Sequence, residues 1–416
     1  MEHGRGDEAV VAADPRRAPR AAALFFALVF SAGCLRALTD GSGTAVARAE
    51  DRSILTKMVS WGAGDGGGGR SNPPTSPARG TEAGGDNLTT SSSLDYPILF
   101  QGEPVPIPPE LVHISDLIDT LESTHKPLFW HVPRSAGSTV KDVAAFCIGL
   151  TQANEVGVSD GHGDDEDLGI IEDVDGAKFI NVDSTSPEGL LRAKRFHIAA
   201  SPVVHLIVTP YLYEAAPLFD ARNKARLFVM LRHPIERAVS MFYYLHTSSA
   251  HKDILGGINS VDKYAKSKLV ENNWMTRFLS NKMSGEITLE HEAIAREILR
   301  RKILIGLLKH KNESMRRFEL YFGWVTNGAK NEECRERIVN WDWPGKNKHA
   351  EIMKGSDVYD LLWEQNTFDI RLYEYAEELF QEQGRLFEEA EEDEEEWLEE
   401  GDEDDQGEEL SEEGSS

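Results

Sequence analysis

The sequence predicts an α/β fold: a parallel sheet flanked by helices. Between residues 128 and 307, short apolar runs of strand length alternate with segments whose apolar residues recur at the three-and-four spacing of a helix face. Strands that alternate with helices form parallel sheets with right-handed crossovers, and ligands bind at the carboxyl ends of the strands. Two strand-to-helix junctions, after Val132 and after Leu231, have the residues of a ligand site.

The predicted elements follow one another along the chain. We expect strands at 128–132, 178–182, 203–208, 227–231 and 303–307. We expect helices at 111–121, after Thr139, at 187–195, at 211–219, from about Ile235, at 313–322 and at 359–387. The chain beyond Tyr244 is mostly helical in this scheme. The sequence therefore predicts one α/β domain with a helical C-terminal part.

Composition divides the 416 residues into four parts. In residues 1–39, Arg16, Arg17 and Arg20 precede the apolar run 21–35. That run is shorter than the about 20 residues of a spanning helix and fits a signal peptide or signal anchor. Residues 40–109 are rich in Gly, Ser, Pro and Thr, which predicts a flexible stem. Residues 110–387 are the predicted domain, and 388–416 an acidic disordered tail.

The charge is concentrated in the tail. The formal net charge is −27, but residues 374–416 contain 22 acidic residues and one arginine, so the rest of the chain carries only −6. This balance gives no reason to expect nucleic acid as a partner. If the apolar run is retained, Arg16, Arg17 and Arg20 in front of it favour a cytoplasmic N-terminus and a single-pass type II topology.

Three cysteines are too few for a disulfide scaffold. Cys34 lies in the apolar run, which leaves Cys147 and Cys334 as the one pair available to a lumenal domain, and the sequence leaves open whether they are joined. Sequons at Asn87 and Asn312 are compatible with a lumenal chain.

The first junction is a loop of small residues around one arginine, Pro133-Arg134-Ser135-Ala136-Gly137-Ser138-Thr139. A strand that leads through such a loop into a helix points backbone N–H groups and the positive helix end at one spot, which is a geometry for phosphate or sulfate. An ordinary β–α turn with a Ser or Thr cap is the alternative. The nucleoside-triphosphatase P-loop is excluded, because it needs Lys where this chain has Ser138.

The second junction is Arg232-His233-Pro234, followed by a helix. Proline suits the first turn of a helix, because its φ is fixed and its missing donor is not needed there. Ser240 lies eight residues past Arg232, about two helical turns into the helix. A cation at the strand end and a hydroxyl on the helix can together bind a second phosphate.

Together the two junctions resemble the motifs of sulfotransferases that use 3′-phosphoadenosine 5′-phosphosulfate (PAPS). The first is similar to their P-K-[TS]-x-G-[ST]-T loop for the 5′-phosphosulfate, at Pro133, Gly137, Ser138 and Thr139. The second is similar to their R-[DH]-P-x-x-R-x-x-S motif for the 3′-phosphate, at Arg232, His233, Pro234, Arg237 and Ser240. The resemblance covers roughly residues 125–325 and is strongest to Golgi carbohydrate sulfotransferases of the heparan 2-O and 6-O types.

The resemblance implies a P-loop-like fold and transfer of a sulfuryl group from PAPS to a hydroxyl of a glycan or related acceptor, without a metal. It implies a Golgi membrane protein with a lumenal domain, or a secreted one if the N-terminal segment is cleaved. The donor would be bound by Arg134, Ser135, Ala136, Gly137, Ser138, Thr139, Arg232 and Ser240. Arg134 stands where the family usually has Lys, so it would act by charge and hydrogen bonds and not by donating a proton.

The general base and the acceptor site have weaker signals. Glu214, His205 and His197, in that order, are the candidates for the base, because they flank the strand before the second motif. Asn273 and Arg277 resemble part of an N-N-x-x-x-R segment of the 6-O-type enzymes, which implies contacts with the nucleotide or the acceptor.

Two other functions remain open from the sequence. One is a catalytically silent lumenal glycan-binding protein on the same fold. The other is a nucleotide kinase with a degenerate P-loop, although Ser138 in place of Lys and the lack of an evident magnesium carboxylate disfavour it.

Overall fold

The computed structural model describes residues 94, 96–159, 161–248, 251–324, 328–340 and 351–387. The predicted signal segment, most of the predicted stem and the acidic tail lie outside the described residues. Within the described part, every helix is too short or too polar to cross a bilayer.

The core of the fold is a seven-stranded sheet preceded by a small hairpin. The hairpin strands are β1 (Leu99–Phe100) and β2 (Glu103–Pro104). The sheet strands are β3 (Lys126–Trp130), β4 (Gln152–Ala153), β5 (Ile170–Glu172), β6 (Lys178–Ile180), β7 (Leu206–Thr209), β8 (Ala225–Leu231) and β9 (Ile303–Leu307). Their order is β5-β6-β4-β7-β3-β8-β9, and only the β5–β6 pair is antiparallel. The predicted α/β fold with a mostly parallel sheet is confirmed.

Helices flank the sheet and make up most of the chain after β8. The α-helices are α1 (Gly137–Asp142), α2 (Pro187–Arg195), α3 (Leu212–Ala215), α4 (Pro234–Thr247), α5 (Val261–Ala265), α6 (Trp274–Leu279), α7 (Leu289–Lys302), α8 (Lys311–Phe322), α9 (Gly328–Asn340), α10 (Asp357–Gln365) and α11 (Thr367–Glu382). Shorter 3₁₀ segments are Pro109–Leu111, Glu155–Val158, His162–Asp164, Ala216–Leu218, Lys252–Leu255, Leu308–His310 and Gln383–Leu386. A π-helical turn, Val143–Cys147, continues α1.

The strands β3 and β8 are neighbours in the sheet and carry the two junctions. They run parallel in the register Leu128 with Leu227 and Trp130 with Val229. Alternate side chains enter two different apolar clusters, one on each face, and Phe129 and Phe228 meet in the second of them with ring centres 5.1 Å apart. Because the two strands are neighbours in register, their carboxyl ends and the loops that follow lie side by side.

The predicted helix at 111–121 is wrong. Only Pro109–Leu111 forms a 3₁₀ turn, and the chain after it is held by the buried side chain of Arg226. The Arg226 guanidinium donates to the carbonyls of Asp116 (2.5 Å), Asp119 (2.7 Å) and Thr120. The Asp116 carbonyl also accepts from the backbone N–H of Asp119 at 3.1 Å, which is a single turn and not a helix. The apolar residues at helical spacing therefore lie in a loop whose carbonyls bind the Arg226 side chain.

Part of the predicted stem packs against the domain. Leu94 and Val105 are buried, and the backbone N–H of Ile98 donates to Oε2 of Glu297 at 2.9 Å. The folded region therefore begins before residue 110.

A disulfide joins Cys147 to Cys334. It connects the π-helical end of the α1 segment to α9, across 187 residues of sequence. The structure thus settles a pairing that the sequence left open.

Candidate active site

The loop after β3 adopts a backbone conformation that is rare for residues with side chains. Arg134 and Ala136 have φ of 64° and 63°, in the left-handed region. Such conformations cost about 1–2 kcal/mol each and cluster at ligand sites, where the surrounding structure fixes them. Ala136 precedes α1, whose first turn has no side-chain cap. The helix start is therefore available to a ligand instead of a Ser or Thr cap, against the ordinary-turn interpretation.

Gly137 is required by a close approach to His131, a residue that the sequence did not single out. A Cβ at position 137 would lie 2.1 Å from Cδ2 and Nε2 of the His131 ring. The His131 imidazole is buried and stacks on Phe129, with ring centres 5.9 Å apart. The His131 ring thus packs directly against the first turn of α1 at Gly137. The signal in the sequence was a polar residue near the carboxyl end of the predicted strand 128–132.

Ser135 contributes a buried hydroxyl to the same loop. Its side chain is fully buried, and within the described part of the chain its Oγ has no hydrogen-bond partner. Leaving a buried hydroxyl without a partner costs about 1–3 kcal/mol. An oxygen of a bound anion would satisfy this group.

Arg232 extends from the end of β8 toward the loop after β3. Its Nη1 donates to the carbonyl of Arg134 at 3.4 Å, and its Nε pairs with Glu236 at 3.2 Å. Burial lowers the pKa of Arg232, and the neighbouring Arg134 charge lowers it further, while Glu236 raises it. Arginine stays protonated nonetheless. Two repelling guanidinium groups at one place favour a bound anion, which would relieve the repulsion.

The two motifs are in direct contact through Arg134. Its Nε donates to Oγ of Ser240 at 3.3 Å, and its guanidinium carbon lies 4.6 Å from the centre of the Tyr244 ring. Ser240 and Tyr244 are one turn apart on α4. The structure therefore brings together Arg134, Arg232 and Ser240, which are separated by about a hundred residues in the sequence.

Arg237, the second arginine of the motif, points away from this site. It is buried, forms an ion pair with Glu271, and lies over the Trp274 ring at 5.4 Å. Burial raises the pKa of Glu271, whereas Arg237 lowers it. Arg237 thus holds α4 to the segment before α6 and does not line the site.

His233 and Pro234 occupy the start of α4. Pro234 is the first helical residue, as predicted for a proline at this point. His233 packs edge-on against Tyr373, with ring centres 5.5 Å apart, and burial lowers its pKa. Both residues fix the turn that carries Arg232.

Of the three candidates for the general base, only Glu214 lies at the correct edge of the sheet. It is exposed on α3, shortly after the carboxyl end of β7, next to β3. His205 precedes β7, where its Nδ1 accepts from the N–H of Thr151 at 3.0 Å. Burial lowers the pKa of His205, as do the charges of Lys126 and Lys178.

His205 and His197 are therefore removed from the site. β7 runs parallel to β3, so His205 lies at the amino edge, a strand length of about 13 Å from the loop that holds Arg134. His197 is exposed on the turn after α2, which leads to that same amino edge. Both histidines precede the strand in the chain, so a parallel sheet places them at its amino edge, whereas Glu214 follows the strand.

Asn273 and Arg277, the residues predicted to contact the nucleotide or the acceptor, both make hydrogen bonds within the protein. The Oδ1 of Asn273 accepts from the backbone N–H groups of Phe368 (2.9 Å) and Asp369 (3.2 Å). Arg277 donates to the carbonyls of Asn272 (2.9 Å) and Lys282 (3.1 Å), and also to Oδ1 of Asn272. These bonds hold α6 against the start of α11 and close the turn after α6.

Among the described residues, no group of His, Cys, Asp or Glu is arranged to hold a metal ion.

The chain matches no protein-family model, and no curated protein shows significant similarity to it. The resemblance to PAPS sulfotransferases therefore depends on the residues of the two motifs.

Proposed function

We propose that the chain is a sulfotransferase that moves a sulfuryl group from PAPS to a hydroxyl of a glycan or related acceptor. The observation that supports this most is the meeting of Arg134, Arg232 and Ser240 at the adjoining ends of β3 and β8. Two half-buried guanidinium groups suit a ligand with two anionic groups. PAPS has a 5′-phosphosulfate and a 3′-phosphate, and the fold would then be P-loop-like.

Each part of the site has a distinct role in this proposal. Arg134, the Ser135 hydroxyl and the backbone N–H groups of residues 136–139 would hold the 5′-phosphosulfate. Arg232 and Ser240 would hold the 3′-phosphate, the group that distinguishes PAPS from ATP-like donors. The buried Oγ of Ser135, which has no hydrogen-bond partner among the described residues, supports the first assignment, since an anion oxygen would satisfy it.

Transfer would proceed by in-line attack of the acceptor oxygen on sulfur. A new oxygen–sulfur bond forms, the bond from sulfur to the bridging oxygen of the donor breaks, and the acceptor proton passes to a base. The products are a sulfate ester and adenosine 3′,5′-bisphosphate. By analogy with phosphoryl transfer, most of the catalysis would come from positioning and electrostatics. Arg134 would stabilise the bridging oxygen, and Glu214 remains the candidate base.

We also propose a lumenal location in the secretory pathway. The disulfide between Cys147 and Cys334 supports it, because structural disulfides persist in oxidising compartments. The arginines before the apolar run 21–35 favour a type II Golgi membrane protein, or a secreted protein if that segment is cleaved.

Nucleotide binding tests the donor. Adenosine 3′,5′-bisphosphate is expected to raise the Tm of the protein, while AMP raises it much less, because only the first reaches Arg232 and Ser240 with a 3′-phosphate. A ligand at a hundred times its Kd stabilises the native state by about 2.7 kcal/mol. Equal shifts from the two nucleotides would remove the 3′-phosphate site. Transfer of labelled sulfate from PAPS to a panel of glycans is then measured. Transfer to any of them indicates an enzyme, and binding without transfer indicates a silent glycan-binding protein.

Replacing Arg232 by alanine is expected to weaken binding of adenosine 3′,5′-bisphosphate. The lost charged hydrogen bond is worth about 1.5–3 kcal/mol, or roughly 10- to 150-fold in Kd. Isothermal calorimetry measures the change. Arg222→Ala is the matched control, because that arginine is exposed in the turn before β8, at the opposite edge of the sheet. An equal Kd for the Arg232 variant and the wild type would contradict the assignment.

A further inference from the structure

Two side chains on one face of α4 hold Arg134. The Oγ of Ser240 accepts a hydrogen bond from its Nε, and the Tyr244 ring lies 4.6 Å from its guanidinium carbon. Residues i and i+4 share one face of a helix. α4 therefore presents a hydroxyl and an aromatic ring to the same cation.

Buried residues contact the Tyr244 ring in turn. His251 is fully buried, and its ring centre lies 5.4 Å from that of Tyr244. Nδ1 of His251 lies 2.7 Å from Oγ of Ser248, whose backbone N–H donates to the Tyr244 carbonyl at 3.0 Å. The Tyr244 ring thus lies next to both the Arg134 guanidinium and a buried imidazole.

Arginine can use such an arrangement and lysine cannot use it equally well. A planar guanidinium lies flat on an aromatic ring, and the ring then fixes the directions of its N–H donors. The lysine ammonium is a compact charge on a flexible stem, with no plane to be fixed. Catalysis by electrostatic stabilisation depends on donors that are already oriented before the charge develops.

We propose that Tyr244 is the positioning residue for Arg134, and that its ring is the reason why this chain functions with arginine where the enzymes it resembles have lysine. The inference rests on the proposed function in naming the sulfuryl group as the anion that Arg134 meets and in comparing Arg134 with the lysine of the enzymes that the chain resembles. The orientation of an anion-binding cation by an aromatic ring is independent of the donor.

Four variants of the full chain test the proposal. Tyr244→Leu is expected to lower kcat by about 2- to 30-fold, the range of a cation–π interaction, and to weaken binding of inorganic sulfate by a similar factor. Tyr244→Phe keeps the ring and should retain most of both. Tyr243→Leu is the matched control, since that neighbouring ring packs on Phe242 with centres 5.2 Å apart. Tyr244→Met replaces the leucine variant if the latter does not fold.

A double-mutant cycle provides a readout that a purely structural role would not change. Arg134→Lys should lower kcat less in the Tyr244→Leu background than in the wild type, because the ring no longer favours arginine. Additive effects of the two substitutions would overturn the proposal, as would equal kcat and equal sulfate Kd for Tyr244→Phe and Tyr244→Leu.

The two arms of the experiment separate this inference from the proposed function. If the wild type binds sulfate without transferring it, and Tyr244→Leu weakens that binding, the positioning role stands and the enzymatic function fails. If the wild type transfers sulfate and the leucine and phenylalanine variants are equally active, the function stands and the positioning role fails. A wild type that neither binds nor transfers sulfate contradicts both.

Discussion

Arg134→Ala is expected to lower kcat by about 10²- to 10³-fold while changing the Kd of adenosine 3′,5′-bisphosphate much less. Removing one hydrogen-bond donor that stabilises a developing oxyanion typically lowers kcat by about 10²- to 10³-fold. Charge grows on the bridging oxygen only as the sulfur–oxygen bond breaks, so the lost interaction belongs to the transition state. Steady-state kinetics with PAPS give kcat, and calorimetry with the bisphosphate gives the Kd.

Arg134→Lys is the matched variant, since it keeps a cation at the same place. It should retain much more activity than Arg134→Ala, because the enzymes that the chain resembles have lysine there. A lysine cannot reproduce the stacking on Tyr244, so some loss is still expected. An Arg134→Ala protein with normal kcat and only a weaker Kd would make the loop a binding cradle without a role in the transition state.

The strands β8 and β9 were predictable from the sequence because they are buried along their whole length. Every residue of β8 and β9 is buried, and such strands appear as continuous apolar runs. The prediction at 303–307 matches β9, and α2 begins at Pro187 with Ser186 as its cap, as the local residues indicate. The helix predicted at 111–121 was wrong because apolar residues at helical spacing also occur in this loop, whose carbonyls bind Arg226.

The two strand-to-helix junctions could be recognised in the sequence for a different reason: each lies within a short stretch of chain. Their contact through Arg134 and Ser240 follows from the adjacency of β3 and β8, which the alternation of strands and helices suggests without fixing the strand order. The roles of Arg237, Asn273 and Tyr244 depend on partners elsewhere in the fold. A match at a motif position does not show whether the side chain at that position faces a ligand or the core.

Arg237 illustrates this difference, and its removal should affect stability more than donor binding. Arg237 and Glu271 are both buried and form an ion pair, and in the described part of the chain Nε and Nη1 of Arg237 have no hydrogen-bond partner. Breaking a buried pair from one side leaves an uncompensated charge and costs about 3–5 kcal/mol. Burial already raises the pKa of Glu271, so without Arg237 this carboxyl is expected to take up a proton.

Arg237→Ala is therefore expected to lower the free energy of unfolding by about 3–5 kcal/mol, measured by urea denaturation. The double variant Arg237→Met/Glu271→Leu should recover most of that loss, because replacing both members of a buried pair by apolar side chains is often neutral or stabilising. Since Arg232 and Ser240 remain in place, the double variant should still bind adenosine 3′,5′-bisphosphate. Arg222→Ala, at an exposed position, should change stability by at most about 0.5 kcal/mol. A fully stable Arg237→Ala protein that no longer binds the bisphosphate would instead place Arg237 at the donor, as the resemblance of the motif alone would suggest.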